Sequence, residues 1–135
     1  MFFEVQVKLI KMNDKGVDKP VVEKVIVENV NLFSEAEFAA MNEYNGEADV
    51  VAMKVSKLKE FVNTRRDDEE DIYFATIEDI FVNEDTGEVK PMLYSVALFA
   101  KNIDEAKDIS NIYIKQGLSD MTLVAIKKTK FIDLI

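Results

Sequence analysis

The run Val51-Ala52-Met53-Lys54 returns as Val124-Ala125-Ile126-Lys127, and the residues after it, Ser56-Lys57 and Glu60, are answered by Thr129-Lys130 and Asp133. Further matches precede it: Asn13 with Asn83, Gly16 with Gly87, Lys19-Pro20 with Lys90-Pro91, and Glu35-Ala36 with Glu105-Ala106. The offsets are 70 (Asn13 to Asn83), 71 (Gly16 to Gly87) and 73 (Val51 to Val124), so small loop insertions separate the matching stretches. Self-similarity at a fixed period marks a repeated structural unit that buries its apolar face against its own copy. The chain therefore reads as a tandem duplication of one module, with halves 1–66 and 72–135 joined by the acidic linker 67–71 and expected to form one compact domain.

Within a half the order is β-β-α-β. Phe3, Val5, Val7 and Leu9 share one parity and Glu4, Gln6 and Lys8 the other, the period of a strand buried on one face. Asn13-Asp14-Lys15-Gly16 reads as a turn into a second strand over 21–30, with Pro20 at its entry, where a missing N–H is tolerated. Ser34-Glu35-Ala36-Glu37 fits a capping box, which starts a helix whose apolar positions are Phe38, Met41 and Tyr44 and which Asn45-Gly46 ends. A third strand runs over 50–62, where Val51, Met53 and Val55 share a parity that Leu58 breaks, as a bulge would. The second half repeats this with strands over 71–82, 91–101 and 121–135 and a helix over 104–116. The expected class is α+β, with about six mainly antiparallel strands and two helices. Whether the halves share one sheet is open at this point.

Several signatures together resemble an uncharacterised domain family of gut bacteria and their tailed phages. They are Phe3-Glu4-Val5-Gln6-Val7, then Leu32-Phe33-Ser34-Glu35-Ala36-Glu37, then Phe131-Ile132-Asp133-Leu134, and the resemblance spans nearly the whole chain. It implies no catalytic residues. It does imply a phage or mobile-element setting, where members accompany replication genes, and hence a nucleic-acid role in the cytoplasm of a bacterial host.

Composition excludes more than it selects. With no Cys and no His among 135 residues, the chain has no disulfide, no thiolate nucleophile and no imidazole base or ligand. Its glycines are isolated, so no phosphate loop occurs, and Asn83-Glu84-Asp85-Thr86-Gly87-Glu88 lacks the acidic spacing of a calcium loop. No enzyme activity, cofactor or metal is expected. The alternating opening MFFEVQVKLIK is neither a leader nor a membrane span, so no membrane partner is expected either.

A net charge of −9, from 17 basic and 26 acidic residues, opposes non-specific attraction to phosphate. Basic residues nevertheless gather on the third strand of each half. Lys54, Lys57 and Lys59 in the first half and Lys127, Lys128 and Lys130 in the second would lie on equivalent third strands, interleaved with Leu58, Phe61 and Phe131. Lysines supply phosphate contacts and aromatic rings supply stacking platforms, the combination of sequence-tolerant single-strand binders. Lys54, Lys57, Lys59, Lys127, Lys128, Lys130 and Phe131 are therefore the candidate site for single-stranded DNA. Solubilising an exposed strand edge is the simpler explanation of the same lysines. The alternative function is a protein-protein interaction module or homodimer, for which a duplicated module descended from a fused homodimer would be suited.

Overall fold

The computed structural model describes residues 1–63, 71–117 and 120–135. Two compact units emerge: Met1–Ser56 with Lys130–Ile135, and Lys57–Thr129. Each contains one helix and one four-stranded sheet, and each sheet draws strands from both halves of the chain.

In the first unit, β1 (Phe2–Met12) and β2 (Asp18–Glu28) form an antiparallel hairpin, and β3 (Asp49–Val55) pairs antiparallel with β1. The turn forms for local reasons. Asn13 Oδ1 accepts hydrogen bonds from the Lys15 and Val17 amides at 2.9 and 3.0 Å, and Gly16 takes φ 75°, which a side chain would strain. In the second unit, β5 (Asp71–Val82), β6 (Val89–Ala100) and β7 (Asp120–Lys128) repeat the arrangement, with Asn83 Oδ1 accepting from the Asp85 amide and Gly87 at φ 71°.

The fourth strand of each sheet comes from the other half of the chain. β4 (Leu58–Phe61) pairs parallel with β6, and β8 (Phe131–Leu134) pairs parallel with β2, giving the orders β3-β1-β2-β8 and β7-β5-β6-β4. The expected third strands over 50–62 and 121–135 are corrected accordingly: each is two strands in two sheets, and the described residues hold eight strands rather than six. The parity change at Leu58 is a change of sheet. The bulge lies earlier, where the register slips between Gln6 and Val7 and leaves Val51 as the extra residue, and a matching slip between Thr76 and Ile77 leaves Val124 extra. Ser56 N donates to Phe2 O and Thr129 N to Ile72 O, so both strands are pinned just before the chain crosses over. Asp67 to Glu70 of the expected linker, with Arg65 and Arg66, lie outside the described residues; Asp71 already belongs to β5.

Helix α1 (Phe33–Glu43) packs on Phe3, Val5, Val7, Val25 and Val27 through Ala36 and Ala40. The helical face differs from the expected one. Phe38 is 73% exposed, because the contact uses small residues four apart that bring the helix close to the sheet. The cap also differs. Leu32 occupies the N-cap and Glu35, not Glu37, reaches back to the Leu32 and Asn31 amides at 3.1 and 3.3 Å, leaving Ser34 inside the first turn. Helix α2 (Ile103–Gln116) covers Tyr73, Ala75, Ile77, Val96 and Leu98 through Ala106. It is capped by Asn102, whose Oδ1 accepts from the Glu105 amide at 2.9 Å.

Candidate functional site

Pairing across the first sheet assembles a row of side chains from all four strands. Gln6 on β1 lies opposite Ala52 on β3 and Lys24 on β2, and Lys24 lies opposite Phe131 on β8. Glu4, one row along, lies opposite Lys54 and Ile26. Because Phe3, Val5 and Val7 turn toward α1, these rows occupy the other face of the sheet. Ala52 is short where its neighbours are long, and the rows enclose a cavity of about 190 Å³ lined by Glu4, Gln6, Lys24, Ala52, Met53, Lys54 and Phe131.

The electrostatics of the cavity are mixed. Lys54 Nζ stands 3.8 Å from Glu4 Oε1, with the lysine side chain 74% exposed, a pair too solvated to hold the lysine in one place. Lys24 is half-buried beside them. A planar group could lie against Phe131 while an attached anion meets Lys24 and Lys54.

The other sequence-predicted residues are dispersed. Lys130 is exposed in the crossover before β8, and Lys57 is exposed in the crossover before β4 in the other unit. Lys59 on β4 lies over the Tyr94 ring, 4.2 Å from its centroid. Lys127 is exposed on β7 with Nζ 6.0 Å from the Phe74 centroid, and Lys128 is 3.4 Å from Asp71 Oδ2. The expectation that the six lysines occupy equivalent third strands is thus corrected. Of the seven, Lys54 and Phe131 line one cavity together, and each expected strand divides between two sheets.

Lys24 escaped the sequence reading, which gave only a strand over 21–30. Its signal was cross-strand: the hairpin turn fixes Gln6 opposite Lys24, and so puts a lysine in the middle of the polar face.

Two tyrosines complete the polar inventory. Tyr44 donates to Glu23 Oε2 at 2.8 Å in the first unit, where Glu23 also pairs with Lys11, and Tyr113 donates to Glu60 Oε1 at 2.6 Å in the second. Burial first, and then the bonded carboxylate, push both phenols well above their ordinary range. They are fixed hydrogen-bond donors, unsuited to accept a proton near neutrality. Among the described residues, no three carboxylates converge as a metal site, and no helix is long and apolar enough to cross a membrane.

These features define an α+β chain of two similarly ordered sheet-and-helix units, one of which carries a polar cavity on the sheet face away from its helix. The chain belongs to the family described as a domain of unknown function, DUF4494, which matches it over residues 1–135. No curated protein and no solved structure matches it.

Proposed function

We propose that the protein is a non-enzymatic binding protein that contacts single-stranded DNA through the first unit, with Lys24 and Lys54 meeting phosphate and Phe131 offering a stacking surface. The observation that carries this reading is a cavity that gathers two lysines and an aromatic ring from different strands of one sheet. The resemblance to a phage and mobile-element family gives it a setting, as an accessory of replication. In this reading the chain arose by tandem duplication. Its support is the shared strand order, the paired bulges at Val51 and Val124, and the equivalent amide bonds Ile135 N to Ile26 O and Val62 N to Ala97 O. Reciprocal exchange of the fourth strand suits descent from a homodimer fused into one chain.

A low-salt mobility shift with a labelled oligothymidine tests the lead. A retarded band that disappears as salt is raised is expected, because lysine–phosphate contacts release counterions. Wild-type protein that leaves the oligonucleotide unshifted would sink it.

One observation favours the alternative of a protein-protein interaction module. The far ends of both hairpins expose apolar side chains, among them Ile10 (71%), Met12 (70%), Val82 (60%) and Leu93 (63%), and Phe38 stands out from α1. Scattered exposed apolar residues are ordinary, but their recurrence on both hairpins is what an oligomer or docking adaptor would use. Light scattering of purified protein tests it: a discrete oligomer is expected under this reading and a monomer at all concentrations contradicts it.

A further inference from the structure

The second unit holds a cavity of about 270 Å³ lined by Lys59, Asp79, Tyr94, Tyr113, Gln116, Gly117 and Met121. Asp79 belongs to the inward series Tyr73, Ala75, Ile77 of β5 and is only 4% exposed, yet its Oδ1 has no hydrogen-bond partner. Burying a carboxylate oxygen without a donor is costly, and native chains rarely keep one unless something outside the chain answers it. Lys59, the cation among the described residues that line the cavity, does not answer it, because its exposed Nζ sits over the Tyr94 ring. The hydroxyls are engaged too: Tyr94 donates to Met121 Sδ at 3.0 Å and Tyr113 to Glu60. What remains toward the cavity is an unanswered acceptor, an exposed ammonium group and two aromatic rings.

Two further features bear on the cavity. A Cβ on Gly117 would come within 1.7 Å of Met121 Cε and 3.3 Å of the Ile114 carbonyl oxygen, so the absence of a side chain there admits the Met121 thioether. Gly117 has φ −74°, so backbone freedom is not its reason. The position equivalent to Asp79 in the first unit is Leu9, packed on the apolar core, so nothing in the repeat demands a carboxylate.

We propose that this cavity binds a small zwitterion of the α-amino acid class, its ammonium group donating to Asp79 and its carboxylate paired with Lys59. A simple amine would satisfy Asp79 but leave Lys59 unused, and a simple acid the reverse. The site is separate from the first-unit cavity and does not depend on single-strand binding.

The test is calorimetric titration of the full chain with each L-amino acid in turn, with methylammonium and acetate as half-ligands. At least one amino acid binds at one site per chain, more tightly than either half-ligand. Asp79→Asn removes a charge-assisted bond and raises that Kd about tenfold or more. Lys59→Met, an exposed change that leaves the fold intact, weakens the same ligand and keeps the proposal testable if Asp79→Asn does not fold. Lys24→Glu with Lys54→Glu leaves it unchanged. The proposal is overturned if no amino acid binds at millimolar concentration, if a half-ligand binds as tightly as the zwitterion, or if neither Asp79→Asn nor Lys59→Met alters the Kd.

Discussion

The two units share an order of strands and differ in what they place on it. On the face away from the helix, the first unit sets Glu4, Gln6, Lys24 and Phe131 where the second sets Phe74, Thr76, Ser95 and Leu58. Lys54 therefore stands beside a carboxylate and an open cavity, whereas its counterpart Lys127 stands beside an aromatic ring. On the helix face the contrast reverses. Leu9 closes the core of the first unit, and Asp79 opens a polar cavity in the second. Two similarly ordered units thus put their polar chemistry on opposite faces of the sheet. Function follows the substitutions on the scaffold rather than the scaffold itself.

The largest effect should come from the exchange of strands between the halves of the chain. Because β8 completes the first sheet and β4 the second, neither unit is whole without residues from the other half. Phe3→Ala, at a site 1% exposed, should cost about 3–5 kcal/mol. It should lower one common transition, seen alike by a probe in the first unit and by one in the second during urea unfolding. Two separate transitions, with only the first moved, would show that the units are energetically independent.

A smaller effect sharpens the comparison of the tyrosines. Tyr44→Phe and Tyr113→Phe each remove a hydroxyl bonded to a carboxylate and should each cost about 1–2 kcal/mol. Both phenols are raised in the folded protein, so their contribution is complete below the unfolded tyrosine value of about 10 and declines as pH climbs above it. Denaturant midpoints measured from pH 8 to 11 should fall at the alkaline end in wild type, and less in the double Phe variant.

The helix caps give the smallest effect. Asn102→Leu should lose about 1 kcal/mol, while Leu32→Asn supplies the missing acceptor at an exposed position and should gain up to about 1 kcal/mol. Thermal melts that move in the same direction for both changes would break the comparison.

What could be read from the sequence was what local chemistry dictates. The turns from Asn13 to Gly16 and from Asn83 to Gly87, the alternation of β1 and β5, and the helix ending before Gly117 are all settled within a few residues, and all stand in the structure. Strand exchange lay beyond that reach. Alternation tells which face a strand buries but not which edge it joins, so the parity break before Leu58 looks the same for a bulge and for a change of sheet. The same gap scattered the predicted lysines and hid Lys24, whose neighbours are set by pairing between distant strands. Asp79 was closer to hand, as an acid that continues the apolar parity of Tyr73, Ala75 and Ile77 on its strand.

The central claim is that the polar row of the first unit, and not its counterpart in the second, holds the nucleic acid. Fluorescence anisotropy of a labelled oligothymidine at low salt tests it with two charge-reversed proteins, Lys24→Glu/Lys54→Glu and Lys127→Glu/Lys128→Glu. The account predicts that the first pair abolishes binding while the second weakens it only through net charge, with a loss that salt largely removes. Equal loss from both pairs, or retention of binding by Lys24→Glu/Lys54→Glu, would contradict it.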